Sequence, residues 1–449
     1  PPAPFGRTEP VSATGGNTTL GQLHNEFALT ATPTHCPMKK ISRQSLPVLM
    51  HHSISDDATQ VAIRTAVFDE QCRMLAENGW FGISLAQAEA FLVNGEALPD
   101  KSFLMTFDDG FLDNYVHAWP IMRKYGHKGV IFAVTDRITQ AQRDCEAQAP
   151  AHGTDAAGPG TSGPDDAGAS GPDASDRAGL PAPRSTVRPT LEDVWQGRCA
   201  KDDLPNVDSP LRVDALGRTF RQDLFFTWDE ARLMEQSGVM AIAAHSTRHE
   251  RVFAGPAFSG FTQPGDRLRT FSYTVSPTLW GRPVFAQEPE LAQRAFIPSP
   301  VLMESIASLV PQDDAAAAKF FASPANLDKL NALVEQHKNA LGEYESPEDH
   351  TRRLRAVMEA CQTTLTRELG HPVQSFCWPW GVFCDQAREQ AQAAGFTVFY
   401  TTRLGLNLPA RPLAVNRIKV KSRTDSWLLR RLNVYSRPWL GFLYLALRL

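Results

Sequence analysis

The chain has 449 residues, with 45 Lys and Arg against 49 Asp and Glu for a net charge of −4, which excludes a generic basic nucleic-acid binder. Hydrophobic residues make up 42% and charged residues 21%, ordinary globular values, and no apolar run approaches the ~20 residues of a membrane-spanning helix. The 7 cysteines are odd in number and scattered, with no Cys-x-x-Cys pair, so a disulfide framework and a zinc knuckle are both unexpected and a reducing compartment is the simplest reading.

In chain order, residues 1–45 read as a disordered leader without the basic-then-apolar pattern of a secretory signal, and cytoplasmic residence follows as an expectation. Residues 46–138 alternate apolar runs with amphipathic stretches. Pro47 to Met50, Phe81 to Ser84, Ser102 to Phe107 and Gly129 to Val134 read as strands. Phe68 to Asn78, stopped by Gly79, and Tyr115 to Tyr125, stopped by Gly126, read as helices. Strands alternating with helices imply a parallel α/β sheet, open or closed. Residues 139–222 read as an insertion. From Cys145 to Pro183 its composition falls to Ala, Gly, Pro, Asp and Ser, too little apolar surface to offset the entropy of ordering.

Residues 223–253 return to the pattern: Thr227 and Glu230 form a capping-box pair ahead of a helix, and Val239 to Ala244 is a strand leading into His245. Residues 254–372 read as a helical insertion or lid, with Glu348 to Leu369 its clearest helix. Residues 373–420 resume the alternation. The tail, 421–449, carries Trp427, Tyr435, Trp439, Phe442 and Tyr444 among leucines and arginines, which suits a membrane–water interface or a packed terminal helix.

Two constellations carry chemistry. Thr106-Phe107-Asp108-Asp109-Gly110 ends a buried strand; adjacent carboxylates there point in different directions, so one can bind a metal while the other faces a reacting water. A simple strand-ending turn is the competing reading. His245-Ser246-Thr247-Arg248-His249 follows another strand, and histidines at i and i+4 can share one metal, although a chance pair is common in a chain with 12 His. Two histidines and a carboxylate leave positions open for water, the pattern of a catalytic rather than a structural site.

With these residues in view, the sequence resembles the polysaccharide deacetylases, carbohydrate esterase family 4, with the NodB-homology fold. Thr106 to Gly110 matches that family's Thr-Phe-Asp-Asp-Gly motif, and His245 to His249 its His-Ser/Thr-x-x-His motif. Trp378-Pro379-Trp380-Gly381 is similar to its Pro-Tyr-Gly turn. Leu49-Met50-His51-His52-Ser53-Ile54 looks like the first strand of the subgroup with rearranged motif order, which includes poly-N-acetylglucosamine deacetylases. The resemblance implies a distorted (β/α) barrel, here interrupted by two large insertions, and hydrolysis of an N-acetyl group on a glycan. It further implies a divalent metal, most often zinc, on Asp109, His245 and His249, with Asp108 as general base and His52 as general acid. Trp380 and Pro379 would form the substrate wall and help hold the oxyanion. Three positions depart from the pattern: His51 replaces a Tyr, Trp380 a Tyr, and Cys377 an Arg that tunes the base. Arg417 reads either as a solvated rim arginine, the preferred reading, or as the missing cation. An inactive glycan-binding relative and a phosphate-ester hydrolase are the competing functions. If the tail touches a membrane, a lipid-linked sugar is the expected substrate.

Overall fold

The computed structural model describes residues 44–56, 61–148, 186–208, 212–213, 219–220, 224–264, 280–420 and 425–447. The strands Val48–His51, Ser102–Asp109, Gly129–Ala133, Met240–Ala244, Ser375–Cys377, Val398–Tyr400 and Ile418–Lys419 form one curled parallel sheet. Its order runs from Val398–Tyr400 through Ser375–Cys377, Met240–Ala244, Gly129–Ala133, Ser102–Asp109 and Val48–His51 to Ile418–Lys419. Val415 bridges to Tyr400 while Ile418 pairs with Leu49, so this one segment spans the gap between the edges and draws the sheet toward closure. The fold is the expected distorted (β/α) barrel.

Such strands need apolar residues on both faces, because helices cover the outside and side chains fill the inside. The Ser102–Asp109 strand is buried along its whole length. Alternation sorts its side chains. Phe103, Met105 and Phe107 share the outer core with Phe68, Cys72 and Leu75 of the helix Thr65–Glu77, whereas Leu104 joins Val48, Val130, Phe132 and Tyr400 inside. Period 2 from Leu104 carries Thr106 and Asp108 to the inner face. Thr227 and Glu230 cap the helix Trp228–Gln236 as their spacing predicts. The expected Tyr115–Tyr125 helix begins as a π-helical turn, Asn114–Ala118, before Trp119–Lys124.

Two domain boundaries move. The helix Thr135–Gln148 carries order past 138, and Arg188 reaches Glu230 at 2.7 Å while Val207 joins the barrel core. The low-complexity stretch between them and the 1–45 leader lie, apart from their edges, outside the described residues. The 254–372 expectation is too long and too helical. The segment opens with an antiparallel hairpin, Arg251–Phe261 with Pro283–Pro289, and continues through helices Pro300–Ala307, Asp314–Phe321 and Pro324–Gln336. These enclose a separate small core of Phe261, Trp280, Phe285, Phe296, Leu302 and Leu330. The helix Pro347–Leu369 is not part of it: Leu354, Met358, Cys361 and Leu365 lie in the barrel core. Apolar spacing identifies a helix without identifying the layer it covers, which is why the sequence assigned it to the insertion.

Where this small domain meets the barrel, Glu290 is buried; its N–H donates to the Glu250 carbonyl at 3.0 Å, and Arg353 donates to its carbonyl at 2.7 Å. Burial, reinforced by Glu250, pushes its carboxyl from 4.5 up to about 7. Between those values the unfolded chain has lost a proton that the folded chain keeps, so stability falls as pH rises from about 4.5 to 7. Glu290→Gln removes that dependence. Chemical denaturation should show the variant more stable than wild type at pH 8, by on the order of 3 kcal/mol, and equal at pH 4.5; equal stability at both would show that the folded chain does not retain the proton.

The tail divides into two helices with different fates. Asp425–Tyr435 packs Leu428, Leu432 and Tyr435 into the barrel core, whereas Pro438–Ala446 leaves Trp439, Phe442 and Leu443 exposed. Among the described residues no helix is long and apolar enough to cross a membrane.

Candidate active site

Parallel strands deliver their C-terminal ends to one rim, where β/α barrels place reactive groups. Asp108 and Asp109 end one strand, His245 follows Ala244 on the next but one, and Trp378 follows Cys377. The backbone is bent for the purpose. Of six non-glycine residues with positive φ among those described, four lie here: Asp109 (77°), Ser246 (64°), His249 (54°) and Trp380 (55°). Each such conformation costs of order 1–3 kcal/mol, so the surroundings must impose it. At His249 the constraint is visible, since its N–H donates to Ser246 Oγ at 3.0 Å.

Asp109 Oδ1 lies 3.8 Å from His245 Nε2 and 3.7 Å from His249 Nε2. It is buried and accepts no hydrogen bond, while the Arg137 guanidinium stands 4.0 Å away. A buried carboxylate oxygen facing two ring nitrogens just beyond hydrogen-bond reach is what a cation between them would require; two ligands at ~2.1 Å in tetrahedral array lie about 3.4 Å apart. His245 Nδ1 is 2.8 Å from the Cys377 carbonyl, which takes that N–H and leaves Nε2 as the free lone pair. Burial pushes His245 down to about 4 and His249 to about 3, so both rings are neutral near pH 7, the state a ligand needs. The residues therefore fit a divalent metal.

A second cluster, Asp108, His245 and Cys377, is also compact enough to hold a cation. Its donors are already used. Cys377 donates its thiol proton to Asp108 Oδ1 at 3.7 Å, and burial holds that thiol well above the ordinary cysteine range. Asp108 is in turn gripped by Arg417, whose Nη1 and Nη2 donate to Oδ1 and Oδ2 at 2.6 and 2.8 Å.

Arg417 corrects the preferred sequence reading. It is not a solvated rim residue but is 1% exposed, with Nε donating to the Thr401 carbonyl at 2.7 Å. Burial works against the ionised Asp108, yet the Arg417 charge and the nearby His245 and His52 hold its carboxyl well below the usual carboxylate range. Where the motif would place an arginine next to the turn, this chain has Cys377, and the cation arrives 40 residues later, from the residue just ahead of the strand Ile418–Lys419.

The two adjacent histidines separate as alternation requires. His51 faces outward: it is 3% exposed, stacks on Phe107 with centroids 5.1 Å apart, and its Nδ1 lies 3.3 Å from the Thr106 carbonyl. Burial pushes it down to about 3. His52 turns to the rim, its Nε2 3.9 Å from Asp108 Oδ2 and its side chain 21% exposed. Its backbone is pinned from below by residues the sequence did not single out. Asn114 Nδ2 donates to the His52 carbonyl at 2.7 Å, and Asp113 accepts from Ser53 Oγ and the Ile54 N–H at 2.5 and 2.8 Å. Only their place just beyond Asp-Asp-Gly could have suggested them.

Trp380 forms the opposite wall. Its ring centroid is 4.0 Å from that of His249, and the exposed Arg251 guanidinium, from the inserted hairpin, lies 4.9 Å over it. The turn tolerates no side chain at Gly381, where φ is 74° and a Cβ would come within 2.3 Å of Thr402 Oγ1. Pro379 is buried; the half-buried Trp380 ring is the part that reaches the cleft.

No family model matches the chain. Over 93 residues, 21% of this chain, it is 36% identical to a Bacillus subtilis protein whose name places it among the polysaccharide deacetylases. Over 77 residues, 16% of this chain, it is 34% identical to the poly-beta-1,6-N-acetyl-D-glucosamine N-deacetylase of Escherichia coli. The matches span 33% and 12% of those relatives, so the chain covers a minor part of each. Among solved structures, a de-N-acetylase from Aggregatibacter actinomycetemcomitans superposes with a TM-score of 0.49 at 18% identity, over 86% of this chain and 99% of that one. The BpsB deacetylase domain from Bordetella bronchiseptica gives 0.45 at 16%, over 85% and 97%.

Proposed function

We propose that this chain, a relative of the polysaccharide deacetylases, is a metal-dependent hydrolase that removes the N-acetyl group from an amino sugar of a glycan and releases acetate. The observation that carries the reading is Asp109 Oδ1, buried without a hydrogen bond between two neutral imidazoles, with a second carboxylate adjacent and a histidine beside that. Two nitrogens and one oxygen suit zinc.

Asp109, His245 and His249 are the ligands in this scheme. A bound divalent metal supplies Lewis-acid polarisation of the acetyl carbonyl and makes water more acidic. Asp108, held ionised and in fixed orientation by Arg417, takes the proton from the attacking water as its oxygen bonds to the acetyl carbon. His52 delivers a proton to the nitrogen as the carbon–nitrogen bond breaks, because an unprotonated amine is a poor leaving group. Water is consumed, and acetate and a free amino sugar leave. In this scheme Trp380 offers a flat face to a sugar ring, and a backbone N–H of its turn helps hold the developing oxyanion.

The test is incubation of the metal-loaded protein with N-acetylglucosamine oligosaccharides, measuring acetate and free amine together. Equimolar release, abolished by a chelator and restored by zinc, is expected. Glycan binding without release would favour the inactive relative, and release of phosphate from a phosphate ester with no acetate from any N-acetyl sugar would replace the reaction class.

A further inference from the structure

The helix Pro438–Ala446 presents its apolar side to solvent. Trp439, Phe442, Leu443, Ala446 and Leu447 recur at spacings of three and four, which places them on one stripe, and all five are exposed, Trp439 by 67% and Leu447 by 79%. The opposite side is seated: Gly441 is buried, and a Cβ there would come within 2.4 Å of the Leu406 side chain. From Ser426 to Leu449 the chain carries Arg430, Arg431, Arg437 and Arg448 and no acidic residue. Arg430 and Arg437 are exposed, while Arg431 lies over the rings of Trp427 and Tyr444. Tryptophan, leucine and arginine in a segment that holds no acidic residue match an anionic lipid surface. A second copy would bring arginines against arginines.

The position of this stripe decides what the cleft can meet. Ser45, just ahead of the first strand, donates its N–H to the Ser436 carbonyl at 3.2 Å, two residues before the helix begins. Leu46 N–H bonds to the Asn407 carbonyl at 3.0 Å, and Leu406 is the residue under Gly441. The helix therefore sits at the N-terminal end of the parallel strands. The cleft is at the C-terminal end, about 20 Å away along the rise from Ser45 to His52.

We propose that the stripe seats the protein on an anionic membrane surface and turns the cleft toward the aqueous side, so that the substrate is a glycan reaching in from solution rather than a sugar carried on a lipid of the same leaflet. The seat and its orientation stand on the helix and its place at the N-terminal end of the strands; the substrate half rests on the deacetylase reading.

The experiment uses the full chain with vesicles of phosphatidylglycerol and phosphatidylcholine, against vesicles of phosphatidylcholine alone, read by co-sedimentation and by amide hydrogen exchange. Binding should need phosphatidylglycerol, weaken with salt, and fall roughly tenfold or more in the triple variant Trp439→Ser, Phe442→Ser, Leu443→Ser, whose hydrolysis of soluble oligosaccharide should be unchanged. Peptides covering 437–447 should exchange more slowly on the vesicles, and those covering 248–252 and 379–384 should not change. No binding, or equal binding by the triple variant, overturns the seat; a dimer abolished by that variant assigns the stripe to a second copy instead. Slowed exchange at the cleft peptides overturns the orientation. Faster cleavage of a lipid-tethered N-acetyl sugar than of the free oligosaccharide in the same vesicles overturns the substrate half. Absence of cleavage of either sugar, with the exchange pattern intact, rejects the deacetylase reading and leaves the seat standing.

Discussion

His249→Ala should lose bound metal and acetate release together, whereas Asp108→Asn should keep its metal and lose turnover by ~10²–10⁴-fold, the range typical of removing a general base. The difference follows from what each group touches. His249 Nε2 faces Asp109 Oδ1 at 3.7 Å, and without it two ligands remain, His245 and Asp109. Asp108 has both oxygens occupied by Arg417 and stands outside that triangle. Asparagine keeps the shape and one acceptor but cannot take a proton. It also leaves the buried Arg417 without its counter-charge, which costs on the order of 3–5 kcal/mol where a buried pair is broken, so thermal melts must accompany the assay. Asp108→Asn with a folded core and full zinc, but little turnover, is the expected result. Full zinc in both His249→Ala and His245→Ala would remove this site from consideration, and loss of zinc in a folded Asp108→Asn would move the metal to the cluster containing Cys377.

How much of this was legible in the sequence depends on whether a residue acts through its neighbours in the chain or in space. The parallel sheet was legible because a buried parallel strand must be apolar on both faces, and runs such as Ser102 to Phe107 can form little else, whereas its closure into a barrel came only from the family resemblance. The Asp-Asp pair and the His-x-x-x-His pair were legible because each fits within five residues. Arg417 was legible only as the less favoured of two readings, since its partner Asp108 lies 309 residues away and an isolated arginine more often faces water. The helix Pro347–Leu369 was found but assigned to the wrong layer, because its stripe of Leu354, Met358, Cys361 and Leu365 would read the same against either core. The tail was ambiguous between interface and packed helix for a similar reason. Composition covers 421–449 as a whole, while the structure divides it at Pro438 into a helix that packs and one that does not.

The two histidines of the first strand bear the last prediction, in which His52→Ala costs on the order of 10²-fold or more in turnover and His51→Tyr is tolerated. Alternation makes them mutually exclusive at the rim: His51, paired in register with the outward Phe107, stacks on that ring, and His52 reaches within 3.9 Å of Asp108. Chemistry separates them as well. Burial pushes His51 down to about 3, so it carries no proton to give near neutrality. His52 keeps 21% of its side chain open to solvent, from which a spent acid can be reprotonated. Tyrosine at 51 would keep an aromatic ring against Phe68 and Phe107, with a change confined to stability. The decisive measurement is turnover against pH for both variants at equal metal content. An inactive His51→Tyr, or a His52→Ala variant with near-full turnover, would take the acid role away from His52 and return it to a water in the cleft.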